Sequence, residues 1–177
     1  VLDEPTIGLH PSDNGLLLDA LDELVSRGNT VVVVEHDEDT IRKADCVVEM
    51  GPGGGTEGGQ VLRTGTLNEL LKDPDSLTGQ CLNEGGTGRA VNRHRSVSTD
   101  KMLCIEGARK NNLKGNAVSI PMGCLTVVAG VSGGGKSTLI NDVLGDGIRR
   151  CLRKQSPLFG SFSGHESIRY VRRIDQS

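Results

Sequence analysis

The apolar positions fall into short blocks separated by Gly, Pro and charged residues, and the period of the blocks changes along the chain. TVVVVEH (30–36) is a β-branched run apolar on both faces, which predicts a central parallel strand covered on two sides. Val1 and Leu2 read as the end of a buried strand, Cys46–Met50 as another and residues 60–64 as a further one. Between them, helical spacing predicts a helix over Pro11–Arg27, with Leu17, Leu21 and Leu24 on one face and Gly28 past its end. Asp37–Ala44 predicts a short helix, and Thr66 with Glu69 three residues on makes a capping box for a helix through Lys72. This alternation is an α/β pattern.

Residues 84–101 (EGGTGRAVNRHRSVSTDK) are polar, rich in Gly and Ser and without apolar period, and read as a linker. Strands resume at Met102–Glu106, Ala117–Ile120 and Leu125–Ala129, the last running into GVSGGGKST and a helix from Lys136 to about Leu144. Residues 147–167 read as irregular, and Ile168–Ile174 as a last strand, so the chain stops in the middle of an element. The expected organisation is a unit over 1–83, a linker over 84–101 and a second unit over 102–177.

Charge divides the chain at the same place. Residues 1–83 carry 16 acidic and 5 basic side chains, whereas residues 84–177 carry 7 acidic and 15 basic ones, a division hidden by the net charge of −3. Among the basic residues, Ile148–Arg173 holds seven Arg or Lys against the single acid Glu166. Such a stretch suits either a solvated face or contact with the phosphates of DNA, and Arg89, Arg93, His94 and Arg95 in the linker admit the same two readings. Aromatic residues are nearly absent: Phe159, Phe162 and Tyr170 are the whole set. A module that stacks bases on aromatic platforms is therefore disfavoured.

The five cysteines, Cys46, Cys81, Cys104, Cys124 and Cys151, form no CxxC pair. They read as small buried hydrophobes in a reducing compartment, with no zinc site. The apolar runs are far shorter than the roughly 20 residues a membrane helix needs, and VLDEPTIGLH has no signal-peptide pattern. Both observations lead to an expectation of cytoplasmic location.

Gly130–Ser137 (GVSGGGKS) matches the P-loop pattern GxxxxGK[ST], between a predicted strand and a predicted helix as that pattern requires. Gly130, Ser132, Gly133, Gly134, Gly135 and Thr138 would line a backbone cradle for phosphates. Lys136 would reach the β and γ phosphates, and Ser137 would offer its hydroxyl to Mg²⁺. VLDEPT supplies two carboxylates at a strand end: Asp3 could hold the Mg²⁺ shell and Glu4 could polarise an attacking water. An acidic pair at a strand end is by itself also what a solvated turn looks like. His36, after the next buried strand, could reach the γ-phosphate as a sensor, although a lone His at a strand end is more often structural.

Taken together, these segments resemble the ATP-binding cassette ATPases and, within them, the UvrA family of nucleotide excision repair. LDEPTIGLHPSDN, GNTVVVVEHDEDTIRKAD, GPGGGTEGGQV, DPDSLTGQ, GARKNNLK, VSIPMGCLTVVAGVSGGGKSTLINDVL and IDQS look like segments of that family in its own order. The resemblance implies a P-loop fold with a parallel or mixed sheet flanked by helices. It makes Asp3 and Glu4 the Walker B pair, Thr6–His10 the D-loop, His36 the switch histidine, Gly130–Thr138 the Walker A loop and Gln176 the Q-loop glutamine. By the same resemblance Gln176 joins Asp3 and Ser137 around Mg²⁺, and Glu4, His36 and Gln176 are the catalytic set. It further implies ATP and Mg²⁺ as cofactors, damaged duplex DNA and UvrB as partners, and a homodimer of the full protein.

Walker B and the switch histidine precede Walker A here, so the chain resembles the end of one cassette followed by the start of the next. No LSGGQ-type signature occurs; Gly58, Gly59 and Gln60 spell GGQ at a turn entering a strand and read as structural. Gly134 stands where the family usually has Ser, a change expected to perturb nucleotide affinity without abolishing it. A transporter motor is a rival reading, but residues 102–135 lack the aromatic such motors stack on adenine. An inert structural segment is another. If the two halves complement each other as a permuted cassette, Asp3 and Ser137 must lie within about 10 Å, given metal–oxygen bonds near 2 Å.

Overall fold

Valine at every position of Val31–Val34 leaves this strand no solvated face, and all four residues are buried. The structure, a computed structural model, describes residues 1–84 and 95–174, without the side chains of Pro11 and Ser12. Its strands are β1 (Leu2–Asp3), β2 (Val31–Val34), β3 (Cys46–Gly51), β4 (Gln60–Gly65), β5 (Met102–Glu106), β6 (Val118–Pro121), β7 (Leu125–Gly130) and β8 (Ser161–Ser163). The α-helices are α1 (Pro11–Ser26), α2 (Glu38–Lys43), α3 (Leu67–Lys72), α4 (Leu77–Glu84) and α5 (Asp146–Leu152), and Thr138–Gly145 is π-helical.

The main sheet has the order β1-β2-β7-β3-β4. Its first four strands are parallel, and β4 returns antiparallel to β3. β7, from the second half of the chain, therefore lies between β2 and β3 of the first half. The two halves share one sheet. Alternating side chains supply two cores: Val32, Val34, Val48, Met50 and Val128 face the π-helical segment, α5 and a small sheet of order β6-β5-β8. Val31, Val33, Val47, Leu125 and Val127 face α1, α2, α3 and α4. Helices and a second sheet thus cover both faces, as the double-sided apolar runs predict.

Most predicted elements form, with four corrections. On α1 the core is met by Leu18, Leu21 and Val25, while Leu24 is 40% exposed. The buried stripe is rotated by one residue because Val25 closes the last turn onto the sheet. Residues 147–167 are not wholly irregular, since they hold most of α5 and all of β8. Ile168–Ile174 forms no strand, only a bridge from Ile174 to Leu2; β1 is two residues long and offers little edge to pair with. Cys46 and Cys124 are buried as expected, but Cys104 and Cys151 are only partly buried and Cys81 is exposed. Desolvation, with Cys124 nearby, pushes the Cys46 thiol up to about 12.

Glu84 ends α4, and residues 85–94 of the expected linker, with Arg89, Arg93 and His94, lie outside the described residues. Arg95 is a clamp. Its guanidinium meets Asp22 at 2.8 Å and buried Asp45 at 3.5 Å, and its N–H donates to Asp45 Oδ1 at 2.8 Å. Asp45 Oδ2 in turn accepts from Leu125 N–H at 2.8 Å, which ties the start of β7 to Arg95 within the expected linker.

Both arms of the capping box on α3 are present. Thr66 N–H donates to Glu69 Oε2 at 2.6 Å and the Thr66 hydroxyl accepts from Glu69 N–H at 3.4 Å. The bond from the Thr66 backbone is the main cause that holds the Glu69 carboxyl below its ordinary value of 4.5. A depressed folded value stabilises the protein above the unfolded value, and that contribution is lost as pH falls through the folded one. Thr66→Ala is expected to cost about 1 kcal/mol at neutral pH. The Thr66 hydroxyl also donates to Glu69 Oε2 at 2.9 Å, and this bond, not the retained backbone one, is what the alanine removes from the carboxylate. In urea melts the gap between variant and wild type should therefore narrow in part below pH 4.5; a gap independent of pH would contradict a contribution from the hydroxyl–carboxylate bond.

Candidate functional site

Parallel strands bring the C-terminal ends of β1, β2, β7 and β3 to one edge, and β7 is where the chain order of the strands switches. Ligands of open α/β sheets bind at such an edge. Asp3 and Glu4 close β1, Glu35 and His36 follow β2, and the loop after Gly130 follows β7.

The loop from Gly130 to Gly135 needs glycine for identifiable reasons. Gly130 has φ +136°, and a Cβ there would lie 2.0 Å from the Met50 carbonyl on β3. Gly133 and Gly135 also have positive φ, at +72° and +94°. At Gly134 a Cβ would lie 2.9 Å from the Val131 carbonyl, so the glycine fits the loop closely. Ser132 is exposed, and its carbonyl packs 2.7 Å from where a Cβ on Gly54 would sit. The loop then turns directly into helix at Lys136 and Ser137; the first N–H groups of a helix have no intrahelical partner and suit an anion.

Lys136 is 7% exposed, and its Nζ donates to the carbonyls of Gly130 at 2.9 Å and Val131 at 2.8 Å. Burial lowers its pKa, while the carboxylates of Glu4 and Asp3 oppose that shift. The cation is thus within electrostatic reach of both residues of the acidic pair. Ser137 Oγ donates to Asp3 Oδ1 at 3.2 Å, and Asn141 Nδ2 donates to Asp3 Oδ2 at 2.6 Å. Asp3 and Ser137, 134 residues apart in sequence, are thus in direct contact. Glu4 has φ +46°, a conformation that non-glycine residues rarely adopt.

His36 is exposed one strand from the P-loop, with its N–H donating to Glu35 Oε2 at 3.1 Å. Thr138 Oγ1 accepts from Asn111 Nδ2 at 3.2 Å. Gln176 lies outside the described residues.

Three features of the site escape a motif search. Glu35 is fully buried and accepts from Thr6 N–H at 2.9 Å and the Thr6 hydroxyl at 2.5 Å, so it fixes the turn after Asp3 and Glu4. The glycine-rich segment 53–59 braces the P-loop: Gly55 N–H donates to Gly133 O and Gly59 N–H to Gly134 O, each at 3.0 Å. Asn112 joins them, donating to Gly55 O at 3.0 Å and Gly133 O at 2.9 Å. The GGQ reading as a structural turn fits this placement, since Gly58 and Gly59 pack directly on the loop. The third feature, Asn141, is 6% exposed, and its Oδ1 is buried without a hydrogen-bond partner.

Mg²⁺ takes hard oxygen ligands and keeps several waters. The Asp3 carboxylate and the Ser137 hydroxyl are hard oxygens in contact beside a loop built for phosphates, and the Asn141 amide nitrogen holds the second carboxylate oxygen. The residues fit the ion.

No protein-family profile matches the chain. Proteins named UvrABC system protein A are similar to all of it. That of Clostridium perfringens is 44% identical over 180 residues, that of Staphylococcus aureus strain COL 46% and that of Mycobacterium leprae 47%. In each comparison 100% of this chain matches 19% of the relative. The crystal structure of UvrA2 from Deinococcus radiodurans is 38% identical, aligned over 99% of this chain and 21% of that one with a TM-score of 0.43. The chain spans about one fifth of the length of the relatives it matches, 19% in the curated proteins. Along its whole length the chain is thus similar to one stretch of proteins named UvrABC system protein A.

Proposed function

We propose that the chain supplies a nucleoside triphosphate–Mg²⁺ site to an ATPase that recognises DNA damage in nucleotide excision repair. The observation that carries this reading is the 3.2 Å contact between Ser137 Oγ, at the end of the P-loop, and the Asp3 carboxylate. In this reading residues 1–83 are the latter part of one cassette and 102–177 the beginning of the next. The backbone of Gly130–Gly135 binds the phosphates, and Lys136 leaves the loop carbonyls to pair with the β and γ phosphates. Asp3 and Ser137 orient the cation, and Glu4 holds the attacking water. His36 senses the γ-phosphate, with Gln176 completing the set. Bound Mg²⁺ would supply charge neutralisation of the triphosphate.

For the whole protein the reading extends to damaged duplex DNA, UvrB and a second copy of the protein as partners, and to the cytoplasm as location. Among the described residues no helix is long and apolar enough to cross a membrane. The basic residues Arg153, Lys154, Arg169 and Arg172 are exposed and suit the DNA phosphates, whereas Arg149 pairs with Asp146 at 3.0 Å and Arg150 with the Ser156 carbonyl at 2.7 Å.

Titration calorimetry of the 177-residue chain with ATP tests the site. Weak binding strengthened by Mg²⁺ is expected, with negligible turnover because the sequence has no LSGGQ-type motif to close over the γ-phosphate. Absence of ATP binding in either buffer, or turnover at the rate of an intact ATPase, would contradict the reading.

A further inference from the structure

Asn141 is a polar residue in a segment that otherwise buries Leu139, Ile140, Val143 and Leu144 in the core. It stands four residues after Ser137, on the same helical face, and Thr138–Gly145 is π-helical, a distortion that concentrates at functional sites. Its amide is used at one end only: Nδ2 donates to Asp3 Oδ2 at 2.6 Å, while Oδ1 is buried and unpartnered. Turning the amide over would set an oxygen against the Asp3 carboxylate, so the hydrogen bond fixes which end is left over. A role confined to anchoring Asp3 accounts for the nitrogen but not for the oxygen. A buried acceptor without a partner is costly and rare, and one held beside a cation-binding carboxylate has an evident use.

We propose that Asn141 is a positioning residue of the divalent-cation site, its Nδ2 orienting Asp3 and its Oδ1 accepting a hydrogen bond from a water in the shell of Mg²⁺. The inference rests on the triphosphate–Mg²⁺ reading above. Mg²⁺ gives up its waters reluctantly, so an amide oxygen one water away suits it better than one that must replace a water. The same placement keeps the Asp3 carboxylate aligned with Ser137 while the cation arrives.

The test uses the 177-residue chain, ATP and Mg²⁺. In EDTA, Asn141→Ala should bind ATP within about twofold of wild type, whereas the Mg²⁺ concentration that half-saturates the gain in affinity should rise about tenfold, the usual cost of losing an outer-sphere partner. Asn141→Asp gives a second readout that a merely structural role would not move. Without metal it should melt below wild type, because two carboxylates then face each other, and Mg²⁺ should raise its melting temperature by more than it raises that of wild type. If Asn141→Ala does not fold, the Mg²⁺-dependent melting of Asn141→Asp decides. A folded Asn141→Ala chain with wild-type Mg²⁺ half-saturation overturns the inference, as does an Asp variant that gains no more from Mg²⁺ than wild type. If wild type binds ATP in neither buffer, the triphosphate reading fails and takes this inference with it. Normal Mg²⁺–ATP binding by wild type with unmoved variants defeats the inference alone.

Discussion

Lys136→Ala is expected to weaken ATP binding by about 100-fold, since a charged hydrogen bond contributes about 1.5–3 kcal/mol and each 1.4 kcal/mol is tenfold. Two features place the effect near the top of that range. The residue is largely buried, and the hydrogen-bond partners of its ammonium are two backbone carbonyls that phosphate oxygens can replace. The substitution also removes the cation within electrostatic reach of Asp3 and Glu4, so the variant should melt lower, with Mg²⁺ recovering part of the loss. Calorimetry at fixed Mg²⁺ reads the first effect and thermal melting the second. An affinity within threefold of wild type would mean that the triphosphate does not sit in this loop.

The second large effect is on stability. Gly130→Ala should cost about 3–5 kcal/mol, combining backbone strain with a steric clash. At φ +136° an alanine is strained in any surroundings, and here its Cβ would stand 2.0 Å from the Met50 carbonyl. That carbonyl belongs to β3, so the clash prises apart the parallel pairing of β3 and β7 at Met50 and Gly130, where the two halves of the chain meet. Gly28→Ala is the control. Gly28 has φ +85° with nothing within 4 Å of a built Cβ, so only strain applies, at about 1 kcal/mol. Urea melts of the two variants should differ by at least about 2 kcal/mol. Equal losses would show that the contact across β3 and β7 is absent.

The sequence made the skeleton of this site legible because its chemistry is confined to short spacings. GVSGGGKS after a β-branched strand announces a phosphate cradle, and the run Val31–Val34 announces a doubly covered strand. The pairing of Asp3 with Ser137 was open to inference from complementary halves, yet the route by which they meet, β7 inserted between β2 and β3, is a matter of tertiary register.

What was missed lies where local pattern is weak. α4 reads LTGQCLNE, in which only Gly79 and Leu82 are buried, too few apolar positions to show a period. α5 begins with Asp146 and Gly147, and a Cβ on Gly147 would meet the Phe162 ring at 2.3 Å, so a packing requirement outweighs helix propensity there. Asn141 did leave a signal, an amide four positions after the P-loop serine in LINDVL, where it and Asp142 interrupt the apolar residues and it is Asn141 that is buried. Glu35 left less, since a carboxylate between Val34 and His36 looks like a strand end until Thr6 is seen to bond it. The bracing by residues 53–59 depends on backbone contacts, which side-chain patterns do not record.

The central claim is that Asp3 and Ser137 act together on one divalent cation, and a double-mutant cycle measures it directly. Mg²⁺-dependent ATP affinity would be compared for wild type, Asp3→Asn, Ser137→Ala and the double variant. Residues in contact through a shared ligand should show a coupling of about 0.5–3 kcal/mol, so the double variant loses less than the sum of the single losses. Additivity to within about 0.3–0.5 kcal/mol would contradict a site shared between the two halves of the chain.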